Sequence, residues 1–263
     1  MDLGLKDAKV FVAASRSGLG AAAARRFSLE GAHVAINGRN ADMLHATAQA
    51  IQAESSNPVY AIPVDISERQ GAFDAVQQAA ERLGGLDILV TNAGGPPAGT
   101  FETLHLKDWD KAYELLLVSF VQMVKAALPY LEKSERAAIL AITSLTVKQP
   151  ADGLLLSNTI RAGIAGLVKT LANEYGPSGI RVNAILPGWT ATERVEELLK
   201  HRAAMNDTTP ELERAQRIRH IPLGRMGTPE EFANVAVFLC SPAAGYIHGA
   251  MIPVDGGEIR STM

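Results

Sequence analysis

Residues 13–20 read Ala13-Ala14-Ser15-Arg16-Ser17-Gly18-Leu19-Gly20 and stand between a short apolar run and a helical pattern. A glycine-rich turn that joins a strand to a helix lets backbone N–H groups approach a pyrophosphate at the helix N-terminus. The stretch therefore predicts a dinucleotide site, although a turn of small residues also permits close packing without a ligand. The predicted cofactor contacts are those of Ser15, Arg16, Ser17, Gly18, Leu19 and Gly20.

The rest of the chain repeats this alternation of short β-branched runs and longer helical patterns, which indicates βαβ units. Strands are predicted at residues 9–13, 33–37, 59–63, 88–91, 138–143, 181–186 and 250–254. Helices are predicted at residues 19–30, 41–54, 69–83, 107–134, 154–175 and 229–239. We therefore predict an α/β protein: a single-domain Rossmann fold over residues 1–263, with a doubly wound parallel sheet of about seven strands flanked by helices.

Two helix starts carry the pattern of a capping box, in which a hydroxyl and a carboxylate or amide three residues later satisfy backbone N–H groups. They are Ser67-Glu68-Arg69-Gln70 and Thr228-Pro229-Glu230-Glu231. The second also has proline at the first helical position, where proline is favoured.

Composition narrows the class of protein. The chain has 263 residues, 47% of them hydrophobic, which is enough for one sizeable core. The net charge is -3, and no basic block suggests a nucleic-acid partner. No uninterrupted apolar run of membrane-spanning length stands out, and the single cysteine, Cys240, rules out an internal disulfide. We expect a cytoplasmic protein that binds a small-molecule substrate, with no metal site and no membrane contact.

The end of the second predicted strand bears on the choice of cofactor. It reads Asn37-Gly38-Arg39-Asn40, without the carboxylate that would accept from a ribose 2′-hydroxyl and repel a 2′-phosphate. Arg39 follows the strand and Arg16 lies in the glycine-rich turn, so two guanidinium groups suit a 2′-phosphate. This predicts NADP, with NAD less favoured; the alternative is that both arginines are merely solvated.

Five further motifs follow in order: Asp65-Ile66, Asn92-Ala93-Gly94, Arg181-Val182-Asn183, Pro187-Gly188 with Thr192, and Val254-Asp255-Gly256-Gly257. With the glycine-rich turn they resemble the short-chain dehydrogenase/reductase family over residues 6 to 258. The resemblance implies further cofactor contacts at Asp65, Ile66, Asn92, Ala93, Gly94, Pro187, Gly188, Thr190 and Thr192. It also implies a homotetramer or homodimer, because the family pairs the two long helices, here 107–134 and 154–175.

The chain departs from the family's pattern in the glycine-rich turn. Ala13 and Ala14 stand where the family has Thr-Gly. If that backbone needs a positive φ, Ala14 costs on the order of 1 kcal/mol, and the turn is slightly reshaped.

A larger departure lies at the catalytic residues that the resemblance implies. Ser144 matches the family's serine, but Ser157 replaces its tyrosine, Arg161 its lysine and Leu116 its asparagine. The pattern is similar to a divergent branch described as like 3-oxoacyl carrier-protein reductases, with Ser-Asn-x-x-Arg in place of Tyr-x-x-x-Lys. An aliphatic hydroxyl alone is too weak an acid, and an arginine stays charged. Arg161 keeps the lysine's other role, which is to hold ribose hydroxyls of the cofactor.

The predicted catalytic set is therefore Ser144, Lys148, Ser157 and Arg161. Lys148 is the first candidate for proton donor because a desolvated lysine can have its pKa lowered; the alternative is an exposed loop lysine. His201 and His220 are weaker candidates. They lie in the segment 192–221, which is charged, helix-prone and long for a connection, and which we interpret as a substrate lid or a solvated excursion.

Three functions are compatible with these residues. The leading hypothesis is an NADP-dependent oxidoreductase that transfers hydride to or from a small, mostly apolar carbonyl or alcohol. The second is a dinucleotide-binding protein without redox turnover, with a sensor or assembly role. The third is non-redox chemistry on the same scaffold, such as epimerisation or dehydration; fold alone does not decide among them.

Overall fold

In a computed structural model, which describes residues 1–262, one parallel sheet of seven strands forms the centre of the molecule. The spatial order is β3-β2-β1-β4-β5-β6-β7, and all six pairings are parallel. This confirms the predicted doubly wound α/β fold. The strands are β1 Lys9–Val12, β2 His33–Asn37, β3 Val59–Ile62, β4 Ile88–Thr91, β5 Ala138–Ile142, β6 Arg181–Pro187 and β7 Met251–Val254.

Helices cover both faces of the sheet, and each face has its own apolar core. They are α1 Gly18–Leu29, α2 Ala41–Ser55, α3 Gly71–Leu83, α4 Leu106–Tyr113, α5 Ser119–Leu131, α6 Leu155–Tyr175, α7 Glu193–Asn206, α8 Pro210–Ile218 and α9 Pro229–Cys240. Helices α3, α5 and α6 pack on one face, while α1, α2 and α9 pack on the other. The strand order reverses between β1 and β4, so their carboxyl ends open a crevice where ligands of this fold class bind.

The long helix predicted at residues 107–134 differs from expectation. A π-helical turn, Glu114–Val118, separates α4 from α5, and it carries the buried Leu116. A π turn inserts one residue into the helical repeat and often occurs at functional sites. The combined helix Leu106–Leu131 is also long and apolar enough, by length and composition alone, to cross a membrane. This property was not predicted from the sequence; 44% of the most apolar window of this helix is buried inside the molecule.

The two predicted capping boxes have opposite outcomes. At Thr228 both capping hydrogen bonds are present, so that prediction is confirmed. At Ser67 the prediction is wrong, because the Ser67 hydroxyl donates to the Asp65 carboxylate at 2.7 Å and α3 begins at Gly71 instead. A Cβ on Gly71 would lie 2.0 Å from the Asp65 carbonyl oxygen, so this close approach accounts for the glycine where the helix starts.

The segment 192–221 is folded rather than extended over the surface. It forms α7 and α8, which enclose a small apolar core of their own. Thr192 and Thr209 cap the two helices by accepting hydrogen bonds from backbone N–H groups. The helix-prone composition is therefore explained, and the lid interpretation stays a prediction.

Candidate functional site

The glycine-rich turn adopts a left-handed backbone at two positions. Ala14 has φ 44°, and Gly18 has φ 60°. The sequence predicted a cost at Ala14 if its backbone has a positive φ, and the structure shows that it does. A non-glycine residue with a left-handed backbone is strained. Gly20 serves packing instead, because a Cβ there would lie 2.6 Å from the Ala14 carbonyl oxygen and 3.0 Å from the Asn92 amide nitrogen.

Two asparagines hold the strand ends together around this turn. The Asn37 amide accepts from Ala14 N–H at 3.2 Å and donates to the carbonyls of Ile62 and Val64. The Asn92 amide donates to the Ala14 carbonyl at 3.0 Å. The carboxyl ends of four neighbouring strands are therefore fixed to one another before any ligand binds. Sequence analysis identified Asn92 by resemblance but gave no role to Asn37.

Ser15 and Ser17 occupy different places in the turn. Ser15 is fully buried: its hydroxyl donates to the Val12 carbonyl and accepts from Asn37 N–H, and its own N–H donates to the Asn37 carbonyl at 2.8 Å, so neither donor is free for a ligand in this structure. Ser17 precedes α1 with extended backbone and makes no capping bond with its side chain. Its hydroxyl therefore faces the groove with the N–H groups at the start of α1, an arrangement suited to an anion.

Beside the turn lies a cleft of about 760 Å³, within the size range of small-molecule sites. Both arginines predicted to read a 2′-phosphate line it, and so do Asp65, Ile66 and Gly94. The Arg16 side chain is 34% exposed, and its Cβ would lie 3.1 Å from a Cβ on Gly38. The Arg39 side chain is 78% exposed and lies 3.9 Å from the Asp65 carboxylate. Arg16 is thus held in place, while Arg39 is free to move.

The opposite end of the groove is built by β6 and the loop that follows it. Gly188 packs so closely that an added Cβ would lie 2.7 Å from Asp255 Cα, which explains the matching glycine and aspartate motifs. Thr190 is buried, and Thr192 caps α7. The Thr192 side chain lies 3.8 Å from the Cβ position of Gly18, so the starts of α1 and α7 meet across the groove.

Sequence analysis missed Arg194, in the first turn of α7. Its guanidinium lies against Gly95, within 2.9 Å of the position of an added Cβ, and donates to the Pro96 carbonyl at 3.0 Å. On the other side, Glu193 lies 3.9 Å from Arg16. The first turn of α7 therefore bridges both walls of the groove. The clue in the sequence was the position of this arginine, two residues after Thr192, which is a predicted cofactor contact.

The hydroxyls of Ser144 and Ser157, which were predicted to be catalytic, are linked through Thr146. Ser144 accepts from Thr146 N–H at 3.2 Å, which leaves the Ser144 O–H free to donate. The Thr146 hydroxyl lies 3.4 Å from the hydroxyl of Ser157, and both residues are buried. Thr146 was not foreseen, because its spacing from Ser144 carries no recognisable motif.

Arg161 is almost completely buried, with 7% of its surface exposed. One terminal nitrogen donates to the carbonyls of Ile142 and Thr143 at 3.3 and 3.0 Å, whereas Nε has no partner within residues 1–262. Burial, with a smaller contribution from the nearby Arg194, lowers the pKa of this guanidinium to about 10, so the group remains charged at neutral pH. A cavity of about 10 Å³ adjoins it, close to the smallest volume that holds one water.

The other candidate acids lie on the surface. Lys148 is exposed at the end of the short 3₁₀ turn Leu145–Val147, and His201 and His220 are exposed on the α7–α8 unit. The desolvation that the Lys148 hypothesis requires is therefore not provided in this conformation. The loop is braced instead by Asn158, whose amide makes two hydrogen bonds to the backbone of Ala151.

Beneath the α7–α8 unit lies a charged cluster around Trp189. Arg202 and Arg217 lie 5.9 and 5.0 Å from the centroid of the indole ring, within the range of cation–π contacts. Glu258 is buried beside them with one carboxylate oxygen unpartnered. Burial raises the pKa of Glu258, while Arg217 and the Trp189 indole partly oppose that shift.

These features define a class: a single-domain Rossmann protein with a preformed dinucleotide groove and a neighbouring hydroxyl-lined site. Residues 13–258 match the family described as enoyl-(acyl carrier protein) reductase. The chain is 32% identical over 244 residues to the 7alpha-hydroxysteroid dehydrogenase of Escherichia coli (strain K12), a match that covers 93% of this chain and 91% of that protein. The chain belongs to the short-chain dehydrogenase/reductase family, as its motifs suggested.

Solved structures agree. The L-sorbose reductase from Gluconobacter frateurii, in complex with NADPH and L-sorbose, matches with a TM-score of 0.93 and 32% identity, over 99% of this chain and 100% of that one. A short-chain dehydrogenase from Burkholderia cenocepacia J2315, in complex with NADP, matches with a TM-score of 0.86 and 29% identity, over 97% and 99% of the two chains.

Proposed function

We propose that the protein is an NADP-dependent oxidoreductase that acts on a small, mostly apolar carbonyl or alcohol compound. The observation that carries this is the preformed groove. Arg16 lies in its glycine-rich turn, Arg39 follows the second strand, and no carboxylate stands at that strand end. The related structures from Gluconobacter frateurii and Burkholderia cenocepacia, which hold NADPH and NADP, support the same cofactor.

The residues present fit that cofactor. The start of α1 and Ser17 would hold the pyrophosphate, Arg16 and Arg39 the 2′-phosphate, and Thr190 and Thr192 the nicotinamide carboxamide. The Nε of Arg161 has no partner in the described chain but is buried, so it would donate to ribose hydroxyls only if cofactor binding opens that side of the site. When bound, the cofactor supplies or accepts a hydride at its nicotinamide ring.

Within the substrate site, Ser144 has a free O–H with which to orient a substrate oxygen, because its acceptor position already takes Thr146 N–H. Ser157 and Thr146 add two buried hydroxyls beside it. Lys148 stays a candidate acid for a ligand-bound state in which the α7–α8 unit covers it, and residues 192–221 stay our proposed lid.

A binder without redox turnover is the second candidate. It is favoured by the buried Leu116 and Ser157, which replace two of the family's catalytic groups. One experiment separates the candidates: NADPH and NADH are titrated by intrinsic fluorescence, and a panel of ketones, aldehydes and enones is then tested for NADPH oxidation. Tight NADPH binding with turnover supports the oxidoreductase. Binding without turnover of any panel member supports the binder, and absence of dinucleotide binding contradicts both.

We further propose a homotetramer in the cytoplasm. Large apolar side chains are exposed around α4: Phe101 at 81%, Leu106 at 84% and Tyr113 at 50%. A patch of this kind suits burial against another copy of the chain. Light scattering at micromolar concentration tests the assembly, and a monomer there contradicts it.

A further inference from the structure

Open space in the proposed cofactor groove is unevenly divided. The cleft of about 760 Å³ is lined in part by Gly94 and Gly95. The cavity of about 10 Å³ beside Arg161 is lined in part by Asn92 and Ala93. These four residues are consecutive in the chain, so the two spaces are neighbours at the end of one strand. Because the smaller space holds about one water, the groove is open on the side of the glycine-rich turn and closed on the other side.

The Arg194 side chain lies at the boundary between these two spaces. Its Nε and Nη2 atoms are each 2.9 Å from the position of an added Cβ on Gly95, and Nη2 donates to the Pro96 carbonyl at 3.0 Å. Arg194 is also close enough to Arg161 for the like charge to contribute to the lowered pKa of that guanidinium. Arg194 therefore stands between a residue that lines the open cleft and the residue at the closed end.

The same turn of α7 also contacts the opposite wall of the groove. The Thr192 side chain lies 3.8 Å from the Cβ position of Gly18, at the start of α1. The Glu193 carboxylate lies 3.9 Å from the Arg16 guanidinium. Residues 192–194, which we call the strap, therefore cross the groove from the start of α1 to the loop that follows β4.

Arg194 holds the strap in place through contacts that are easily exchanged. Its side chain is 44% exposed, and its ion pair with Glu197, at 3.4 Å, lies on the surface, where such pairs contribute little to stability. The Pro96 carbonyl is a better anchor, because the rings of Pro96 and Pro97 restrict the backbone on both sides of it. A hydrogen bond to this fixed carbonyl keeps the groove closed, and a stronger partner for the guanidinium would release it.

We propose that Arg194 controls the entry of the cofactor and is itself one of the residues that bind it. Its guanidinium leaves the Pro96 carbonyl when a dinucleotide enters the groove, and it then binds the diphosphate that joins the two nucleosides. This rests on the proposed NADP-dependent function. A guanidinium can form two parallel hydrogen bonds to a phosphate, whereas it donates one to the Pro96 carbonyl. A phosphate also neutralises a charge that otherwise repels the charge of Arg161.

This exchange of partners predicts that both rate constants of NADPH binding rise when Arg194 is replaced by methionine. Loss of the hydrogen bond to Pro96 leaves the groove open, so Arg194→Met should raise the association rate constant about fivefold. Loss of the charged contact with the diphosphate should raise the dissociation rate constant about 30-fold, so that Kd rises about sixfold. A residue that only stabilised the fold would not speed up association.

Stopped-flow mixing with NADPH, followed by nicotinamide fluorescence, measures both rate constants without turnover. Arg219→Met is the matched control, because Arg219 is an exposed arginine at the end of α8; it should leave both rate constants unchanged. Arg194→Lys keeps the charge and should retain most of the slow dissociation. The compound 2′-AMP has a 2′-phosphate but no diphosphate, so its Kd should differ by less than about twofold between the wild type and Arg194→Met, which also shows that the variant is folded.

The outcomes separate this inference from the proposed function. Faster association together with faster dissociation in Arg194→Met supports the role of Arg194. Slower or unchanged association overturns it, while NADPH binding by the wild type leaves the proposed function intact. A weaker affinity of the variant for 2′-AMP also overturns it, because the effect is then not specific to the diphosphate. If the wild type binds neither NADPH nor 2′-AMP, both proposals are overturned.

Discussion

Arg16 and Arg39, which line the cleft beside the glycine-rich turn, are expected to contribute unequally to the binding of NADPH. Arg16 is two-thirds buried, packs against Gly38 and lies 3.7 Å from Met43 Sδ. Its rotamer is therefore set before binding, and little side-chain entropy is lost when a phosphate arrives. Arg39 is largely exposed, so more side-chain entropy is lost when it is ordered on a phosphate. Each arginine has one carboxylate at 3.9 Å, Glu193 for Arg16 and Asp65 for Arg39, so competition from carboxylates does not separate them.

These differences set the magnitudes. A charge-assisted hydrogen bond to a phosphate contributes roughly 1.5–3 kcal/mol, and ordering an exposed long side chain costs about 0.5–1.5 kcal/mol. We expect Arg16→Ala to weaken NADPH binding by about 2 kcal/mol, roughly 30-fold in Kd. Arg39→Ala should cost about 1 kcal/mol, roughly fivefold. Neither change should alter NADH affinity by more than about twofold, because NADH has no 2′-phosphate.

Fluorescence titration measures all these affinities, since the chain has two tryptophans, one of them Trp189 beneath the α7–α8 unit. Arg25→Ala is the matched control, because Arg25 is a surface arginine of α1 that pairs with Glu54 and does not line the cleft. Equal wild-type affinities for NADPH and NADH would refute the assignment of both arginines. A larger loss from Arg39→Ala than from Arg16→Ala would refute the argument from preorganisation.

Three further changes test other parts of the molecule. Ala14→Gly relieves a strained backbone at φ 44° and should raise the melting temperature by about 2–4 °C. The control, Ala13→Gly, relieves no such strain and should lower the melting temperature. A lower melting temperature for both variants in a thermal scan contradicts the strain argument. Glu258→Gln should raise the melting temperature at pH 7 but have little effect near pH 4. The folded pKa of Glu258 is raised, so its carboxylate destabilises the fold only above the unfolded pKa, and an equal effect at both pH values excludes this cause. If Lys148 donates the proton, Lys148→Met should lower kcat by about 10²-fold at unchanged NADPH affinity; a much smaller loss in steady-state assays excludes Lys148 as the donor.

The strands were predictable because a strand covered by helices on both faces needs a continuous apolar run, and such runs are visible in the sequence. β2 and β4 have the predicted bounds, and the other five differ by one residue at one end. A predicted capping box forms only where the capping hydroxyl has no better partner. Thr228 meets that condition, whereas the Ser67 hydroxyl is taken by Asp65.

The site was predictable in its cofactor half and only partly in its catalytic half. Backbone turns that hold phosphates need glycines at fixed spacing, so they leave a local pattern in the sequence. The burial of Arg161, the hydroxyl contact of Thr146 and the position of Arg194 depend on which elements pack together, and no spacing encodes them. The π turn at Leu116 likewise adds a residue to a helical pattern that reads as uninterrupted.

By resemblance, Leu116, Ser157 and Arg161 stand at three of the family's catalytic positions, and their packing fits a coordinated change of chemistry better than simple decay. Random loss of a phenol would leave its neighbours free to vary, and a charged group buried without a carboxylate would then be a cost with no benefit. Here Arg161 is 93% buried and held by two strand-end carbonyls, the hydroxyl of Ser157 has Thr146 as a partner, and Leu116 lines the adjoining cavity with apolar atoms. None of the three side chains exchanges a proton near neutral pH, so turnover at this site needs a proton donor other than these, and Lys148→Met decides whether Lys148 is that donor.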